Sequence, residues 1–276
     1  MTDLKYSVLM PVYKGENAAC FRVALESMLK QSVAPAEIVL VCDGPLTEEL
    51  EKELETFQVC IPELLHLVRL PENQGIGKAL AAGVQECSCE LIARMDSDDI
   101  ALPERCELQL EAFRNSTKLS LCSGTIAEFR EDPQKTEALR CLPETQTEIL
   151  RYAKRRNPMN HMAVMMRRSA VLAAGNYHDV KGAEDYDLWV RMLQNGAEAE
   201  NLPQVLVYAR IGNGMIARRG GIAYIRSAIA LQQSFLKSGF ISYPEFLTNC
   251  LIRIGIGLMP NGFRERFYRR NLRRKQ

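Results

Sequence analysis

The chain has 276 residues, of which 47% are hydrophobic and 25% charged, and its formal net charge is +1. This length and composition predict a folded protein with a sizeable core, either one large α/β domain or a domain with an appendage. The small net charge excludes a protein that is basic overall, as nucleic-acid-binding proteins are. The nine cysteines include no C-x-x-C pair and follow no signal peptide, so reduced thiols in a cytoplasmic protein are expected. No uninterrupted apolar run reaches about 18 residues, so no membrane-spanning helix is predicted.

Apolar runs alternate with amphipathic segments over the first third of the chain. The predicted strands are Ser7–Tyr13, Ile38–Cys42, Leu65–Leu70 and Glu90–Ala93. Between them lie predicted helices, of which the third, Gly75–Cys87, is expected to bury Ile76, Leu80 and Val84. Continuous apolar strands that alternate with helices indicate βαβ units, in which a parallel sheet is covered on both faces.

Polar residues stand at the carboxyl ends of these predicted strands. Asp43 ends the second strand, Arg69 closes the third, and Asp96 and Asp98 follow the fourth. In parallel α/β sheets, ligands bind outside the carboxyl ends of the strands. Separate segments of the chain are therefore expected to deliver polar groups to one rim.

Asp96 and Asp98 stand two positions apart, so on extended backbone their side chains would leave the same face. Two carboxylates on one face can bind a hard divalent cation such as Mg²⁺ or Mn²⁺, with positions left for water and phosphate oxygens. An isolated pair of this kind is also typical of a solvated acidic turn. The polar rim around the pair favours the metal site.

Two common phosphate-binding motifs are missing. The segment from Gly75 to Leu80 begins like G-x-G-x-x-G but lacks the third glycine, and it follows the third strand rather than the first. Gly75 and Gly77 are therefore predicted to be turn and helix-packing residues. The absence of G-x-x-x-x-G-K-[ST] excludes a P-loop.

The middle of the chain is more polar. Pro103 is predicted in the first turn of a helix, Leu119–Phe129 as an edge strand, and Arg130–Thr147 as a polar connection. An apolar strand is predicted over Met162–Met166. His161, in the loop before that strand, is predicted to be a structural hydrogen-bonding residue rather than a ligand.

An acidic segment, Glu184 to Asp187, begins the next predicted helix. Acids in a first helical turn suit the helix dipole, so this segment is by itself compatible with a purely structural role. Trp189 is predicted to anchor the core, and Val205–Arg210 is one more predicted strand. Beyond it, a glycine- and arginine-bearing loop that includes Arg218 could close over a diphosphate or could be merely mobile.

Five short motifs resemble those of family 2 glycosyltransferases of the GT-A fold, in the same order and at similar separations. They are Pro11-Val12-Tyr13, Asp43-Gly44, Asn73-x-Gly75, Met95-Asp96-Ser97-Asp98-Asp99 and Glu184-Asp185-x-Asp187-Leu188-Trp189. The similarity runs from about Tyr6 to about Gly221. It implies an α/β, Rossmann-like fold with a mostly parallel sheet flanked by helices.

The resemblance also implies a reaction. A sugar would move, with inversion, from a nucleotide diphosphate donor, expected to be UDP, to a hydroxyl of a polysaccharide or lipid-linked glycan. Asp185 would be the general base with Glu184 beside it, and Asp98 would hold Mn²⁺ or Mg²⁺ on the diphosphate. Asp96, facing the ribose and diphosphate, would join in binding the metal. The other residues expected to bind the donor are Pro11, Tyr13, Asp43, Arg69, Asn73, Lys78, Ser97 and Arg218. The Q-x-x-R-W signature of processive synthases is absent, so addition of a single sugar is predicted.

The sequence predicts two regions, a glycosyltransferase domain over 1–221 and a helical extension over 222–276. In the extension, the apolar segment Leu251–Pro260 precedes a basic stretch, Arg264–Lys275. This pattern suits a segment that lies in the interface of an anionic bilayer, and peripheral attachment to the cytoplasmic face of the membrane is expected. A core helix with a solvated tail and a nucleic-acid patch are the alternatives, and no nucleic-acid partner is predicted.

Two other functions remain open from the sequence. One is a non-catalytic subunit that binds a sugar nucleotide, although the presence of both Asp98 and Asp185 argues against a site that has lost its catalytic activity. The other is a nucleotidyltransferase that makes the activated sugar. Such enzymes carry a glycine- and arginine-rich loop after the first strand, and Lys14-Gly15-Glu16-Asn17 is not one.

Overall fold

The computed structural model describes residues 4–212, 220–260 and 262–264. Within them the strands are β1 Tyr6–Val12, β2 Glu37–Cys42, β3 Leu65–Arg69, β4 Leu91–Arg94, β5 Ile100–Ala101, β6 Leu119–Phe129, β7 Ala138–Arg140, β8 Met165–Arg167 and β9 Glu198–Arg210. The helices are α1 Ala18–Leu29, α2 Glu48–Cys60, α3 Ile76–Glu86, α4 Arg105–Asn115, α5 Gln146–Ala153, α6 Arg168–Ala173, α7 Glu184–Gln194, α8 Gly221–Lys237 and α9 Tyr243–Leu258. A short 3-10 helix covers His161–Ala163.

The strands form one sheet in the order β3-β2-β1-β4-β8-β6-β9-β5, with β7 beside β6. Strands β1 to β4 pair in parallel, as their continuous apolar runs predict. Strand β8 then runs antiparallel to both β4 and β6, and β9 runs parallel to β6. The α/β prediction is confirmed, and the regular βαβ pattern ends after β4.

Helices cover both faces of this sheet because successive strand residues point to opposite sides. Val8 and Met10 pack with residues of α1, α2 and α4 in one core, whereas Leu9 packs with α3, α5 and α7 in the other. Trp189 of α7 is fully buried in the second core, which confirms its predicted anchoring role. The helix that begins with the acidic segment is thereby held firmly against the sheet.

The predicted edge strand Leu119–Phe129 is an interior strand. As β6 it is buried along nearly its whole length and pairs with β7, β8 and β9. The edge prediction was wrong because β9 begins at Glu198, well before the predicted Val205. The first half of β9 contains polar residues, so it is not recognisable in the sequence as an apolar run. Register shifts allow this half to pair with β6.

Several smaller predictions also differ from the structure. Ile76, expected inside, is 39% exposed at the start of α3. Pro103 precedes α4 rather than lying in its first turn, and the predicted connection 130–147 contains β7 and the start of α5. The predicted strand Met162–Met166 is a 3-10 helix followed by the short β8.

Two helices follow the sheet. Leu231 and Phe235 of α8 pack on Tyr186 and Val190 of α7, so the extension is joined to the helix that begins with the acidic segment. Helix α9 carries a row of exposed apolar side chains, named here the α9 stripe: Tyr243, Leu247, Leu251 and Leu258. None of the described helices is long and apolar enough to cross a membrane. The division at residue 221 stays a prediction.

Candidate active site

The aspartate motif lies in a turn directly after β4. The strand ends at Arg94 and residues 97–98 form a turn, so Asp96 and Asp98 do not lie on strand backbone as assumed, and a shared face for their side chains stays a prediction. The turn is held by β9: the Arg210 N–H donates to Asp99 Oδ1 at 2.7 Å, and Arg210 Nε donates to the Asp98 carbonyl at 3.1 Å. Contacts with a late strand therefore set the shape of the turn.

Negative charge is concentrated in this turn. Burial raises the pKa of Asp98 to about 6, and the neighbouring charge of Asp96 adds to the effect. Burial, together with the charges of Asp96 and Asp98, raises the pKa of Asp99 well above its usual value. Ser97 is buried between the two predicted metal ligands. Carboxylates crowded in this way are stabilised by a bound cation, so the donor set fits Mg²⁺ or Mn²⁺.

A fully buried arginine links the turn to the second acidic segment. Arg94 Nη2 lies 2.6 Å from Asp96 Oδ1, while its Nε and Nη1 have no hydrogen-bond partner among the described residues. The same guanidinium interacts electrostatically with Tyr177 and Glu184. Arg94 was not predicted as a site residue, although a charged residue at the end of a buried strand was a signal.

The second acidic segment opens α7. Asp185 Oδ2 accepts a hydrogen bond from Asn157 Nδ2 at 2.5 Å, and its Oδ1 accepts one from the Tyr186 N–H at 2.7 Å. Burial raises the pKa of Asp185, and these two hydrogen bonds partly offset the rise. A fixed carboxylate with a raised pKa is suited to accept a proton from a substrate hydroxyl. Asn157 is a further residue that the sequence did not reveal.

Glu184 lies beside Asp185 and inside the same electrostatic cluster. Burial, followed by the charge of Asp185, raises the pKa of Glu184 to about 7. Arg94 lowers this pKa and Asp96 raises it, so both groups are close enough to act on Glu184. The fold therefore brings together acids that are far apart in the chain, with Arg94 between them.

His161 packs next to this acidic cluster. Its Nε2 lies 3.0 Å from the Tyr177 hydroxyl, and its ring contacts Trp189 edge-on. Its Nδ1 is 3.9 Å from Asp185 Oδ2. Burial and the charge of Arg94 lower the pKa of His161 well below its usual value, so the ring is neutral. This agrees with the predicted structural role.

Asp43 organises the loop that carries Asn73. Its carboxylate accepts hydrogen bonds from the N–H groups of Gln74 at 2.7 Å and Gly75 at 3.0 Å, and Asn73 Nδ2 donates to its carbonyl at 3.2 Å. Gly44 has a φ of +84°, and a Cβ there would lie 2.6 Å from the Asn73 nitrogen. The two predicted donor-binding segments thus meet at the sheet rim, and binding of the donor by Asp43 and Asn73 stays a prediction.

The other predicted donor-binding residues lie around the same rim or outside the described residues. Arg69 forms a two-pronged ion pair with Glu51, with both N–O distances 2.8 Å. Lys78 Nζ lies 3.7 Å from Asp179, so each cation has an acidic partner. Pro11 is buried in β1, and the half-exposed ring of Tyr13 covers Gly15. Arg218 lies outside the described residues.

The fold and the site together define a class of protein. An acidic turn after β4 that faces a buried acidic pair at the start of α7 is the arrangement expected of a GT-A glycosyltransferase. The profile of the family described as Glycosyl transferase family 2 matches residues 7–173. The chain belongs to this family, and it is an enzyme of the glycosyltransferase class.

Two curated relatives match almost the whole chain. A UDP-Gal:alpha-D-GlcNAc-diphosphoundecaprenol beta-1,3-galactosyltransferase from Escherichia coli is 34% identical over 98% of this chain and 97% of its own length. The amylovoran biosynthesis glycosyltransferase AmsE from Erwinia amylovora is 38% identical over 92% of this chain and 94% of its own length. Both names are those of glycosyltransferases, and the second places polysaccharide biosynthesis among the family's roles.

Solved structures confirm the fold. A fragment of S. aureus TarS in complex with UDP-GlcNAc has a TM-score of 0.66 at 21% identity and covers 91% of this chain and 72% of its own. The mannosyltransferase PcManGT from Pyrobaculum calidifontis, in complex with GDP-Man and Mn²⁺, has a TM-score of 0.63 at 18% identity. This match covers 95% of this chain and 72% of PcManGT. Full-length TarS is much longer, and the match spans 43% of it.

Proposed function

We propose that this chain is an inverting, metal-dependent glycosyltransferase that moves a sugar from a UDP-activated donor to a hydroxyl of a lipid-linked glycan. The observation that carries the proposal is the cluster of Asp96, Asp98, Glu184 and Asp185 around the buried Arg94. The E. coli relative, named for a UDP-sugar donor and a diphosphate-linked lipid acceptor, supports the choice of both substrates.

The acidic turn is proposed to bind the metal. Among the described residues, no group of three His, Cys, Asp or Glu side chains is placed to hold an ion. Asp98 and Asp96 would hold Mn²⁺ or Mg²⁺, and diphosphate oxygens and water would supply the remaining ligands. When bound, such a cation neutralises the charge that develops on the departing diphosphate. The ion pair with Arg94 holds Asp96 in place.

Asp185 is proposed to act as the general base. Its carboxylate accepts the proton of the acceptor hydroxyl as that oxygen attacks the donor sugar. Attack from the side opposite the leaving diphosphate inverts the anomeric carbon, which requires acids on two sides of the sugar. Asn157 and the Tyr186 N–H hold the base in one orientation. Glu184 would orient the base or bind the acceptor.

The remaining predicted residues complete the proposed donor site. Asp43 and Asn73 would bind the nucleobase and adjoining ribose, because they meet at the rim beside β1. Tyr13 has an exposed ring at the same rim, whereas Arg69 and Lys78 would exchange their present acidic partners for the donor. Arg218 is proposed to contact the diphosphate.

Asp185→Asn tests this proposal. The variant is expected to lose transfer by about 10²–10⁴-fold, the usual contribution of a general base, because an amide does not accept the proton. Binding of UDP with Mn²⁺, measured by calorimetry, is expected to be unchanged. The matched control is Asp132→Asn in the turn after β6, which is expected to be fully active. Transfer by Asp185→Asn at the wild-type rate would refute the assignment.

We also propose that the protein docks on the cytoplasmic face of the membrane through residues 222–276. The α9 stripe exposes large apolar side chains. The sequence that follows Pro260 carries seven cations against one acid. An apolar surface beside concentrated positive charge is favourable on an anionic bilayer. Docking would bring the enzyme to a lipid-linked acceptor.

A further inference from the structure

A groove of about 710 Å³ lies along α5 and has no part in the chemistry described so far. It is lined by the connection from β7 to α5 and by α5 itself, including Glu144, Glu148, Arg151, Tyr152 and Arg155. An open groove of this size is large enough for one sugar with a charged substituent.

Hydrogen bonds connect the lining of this groove to the start of α7, which carries the proposed catalytic base. Asn201 Nδ2 donates to the carbonyls of Pro143 at 2.6 Å and Pro158 at 3.0 Å, which ties together the two ends of the lining segment. The Tyr186 hydroxyl, next to the base, donates to the Ala153 carbonyl at 2.5 Å. The wall of the groove is therefore part of the same rigid unit as the start of α7.

Both flanks of the lining segment act on Asp185. Arg140, one residue before the segment, lowers the pKa of Asp185 through its charge, and Asn157, two residues after it, donates a hydrogen bond to the carboxylate. The segment that lines the groove is therefore bounded on both sides by residues that act on the proposed base.

Two exposed cations stand at the end of the groove nearest to Asn157. Among the residues that the structure describes, neither the Arg151 nor the Arg155 guanidinium has an ion pair or hydrogen bond, whereas the nearby Lys154 pairs with Glu245 at 3.5 Å. Of the groove's acids, Glu148 is engaged by Thr145 Oγ1 at 2.9 Å, at the opposite end of α5. The end beside the base is thus positively charged.

We propose that Arg151 and Arg155 bind the diphosphate of a lipid-linked acceptor, an inference that rests on the proposed function and names the acceptor site. Planar guanidinium groups match phosphate oxygens in two-pronged contacts. Arg155 and Asn157 are separated by at most about 7 Å of backbone, comparable with one sugar ring. A diphosphate on Arg155 would put the first sugar near Asn157, which donates a hydrogen bond to Asp185.

The lipid chain of the acceptor would extend away from Asp185, toward α9. The Arg155 carbonyl accepts a hydrogen bond from Arg253 Nη2 of α9 at 2.8 Å, so the cationic end of the groove adjoins the helix that carries the α9 stripe. Lipid, diphosphate and sugar are thereby ordered from α9 to α7. This order predicts an acceptor in which the attacked sugar is the one joined directly to the diphosphate.

The test compares two acceptors in detergent micelles with UDP-galactose and Mn²⁺. One is N-acetylglucosamine joined through a diphosphate to an undecyl chain, and the other is its undecyl glycoside without the diphosphate. The double variant Arg151→Gln, Arg155→Gln is expected to raise KM for the first acceptor about tenfold or more. KM for the glycoside and for the donor is expected to stay unchanged. Arg114→Gln, an exposed position on α4 at the opposite face of the sheet, is the matched control.

Direct binding separates this inference from the proposed function. Undecyl diphosphate, titrated calorimetrically in saturating UDP and Mn²⁺, is expected to bind the wild type at least tenfold more tightly than the double variant. Equal binding, or an equal rise in KM for both acceptors, overturns the inference. Tighter binding to the wild type without any transfer supports the anion site and contradicts the proposed glycosyltransfer alone.

Discussion

Arg94 is the residue on which the charges of the site converge. It is a buried cation, and leaving such a group without acids would be costly, so Asp96 and Glu184 stabilise it as much as it stabilises them. Its position also transmits any change at one acidic segment to the other. Removal of the Asp185 carboxylate is therefore expected to lower the pKa of Glu184.

Glu184→Gln is expected to leave the acidic limb of the pH–rate profile where it is in the wild type. Asp185 must be ionised to act as a base, and burial together with the charge of Asp185 raises the pKa of Glu184 to about 7, so Glu184 is the weaker acid of the pair. Glu184 is therefore still protonated, and uncharged like glutamine, at the pH where Asp185 loses its proton. The measurement is kcat at saturating substrates from pH 5 to 9.

Asn157→Leu is expected to perturb the base directly. It removes a hydrogen bond to the charged form of Asp185, so the pKa of Asp185 rises and the acidic limb moves to higher pH. An acidic limb that stays in place in Asn157→Leu would contradict Asp185 as the titrating base.

The acidic residues of the site were predictable from the sequence, whereas two of the groups that tune them were not. Asp96, Asp98, Glu184 and Asp185 belong to short motifs with a chemical meaning. Asn157 gains its role only because the loop before β8 packs against the start of α7. Such a contact depends on tertiary structure and leaves no spacing pattern in the chain.

At the level of elements, α3 and the segment before α7 are in unusually close contact. A Cβ at Gly77 would lie 2.7 Å from the His178 carbonyl and 3.4 Å from Glu184 Cβ. The sequence predicted Gly77 as a helix-packing residue, and the structure confirms it. The identity of its packing partner, about a hundred residues later, was not predictable.

Gly77→Ala is expected to lower the free energy of unfolding by about 1–3 kcal/mol, because a backbone carbonyl has to move to admit the methyl group. The matched control is Gly255→Ala in α9, where no atom lies within 4 Å of the added Cβ. That variant is expected to gain up to about 1 kcal/mol from helix propensity. Urea denaturation of both variants measures the difference. Equal stabilisation of the two would show that α3 and α7 are not closely packed.

Strands were predicted well where they are apolar on both faces and poorly elsewhere. The parallel strands β1, β2 and β4 are continuous, buried apolar runs, so their positions follow from composition alone. The first half of β9 is partly exposed and polar, which conceals it. Because the position of β6 in the sheet depends on β9, one hidden strand led to two errors.

For the molecule as a whole, the α9 stripe predicts a measurable attachment to lipid. Leu251→Ser with Leu258→Ser is expected to reduce co-sedimentation with anionic liposomes at least tenfold, since two large apolar side chains leave the interface. Val59→Ser on α2 removes a similarly exposed side chain far from the stripe and is expected to have no effect. Wild-type binding should weaken with added salt and on neutral liposomes. Unchanged sedimentation of the double variant would rule out α9 as the docking element.

The position of β9 between β6 and β5 has a consequence for biosynthesis. Because Arg210 closes the Asp98–Asp99 turn, a nascent chain has all its early strands outside the ribosome long before that turn takes its final shape. Until then the edge of β6 is open, and it is the point at which a stalled or shortened polypeptide would pair with a neighbour. Competence to hold a donor is thus gained only when the last strand arrives, so a fragment ending at residue 173 would be an aggregation-prone intermediate rather than a minimal enzyme.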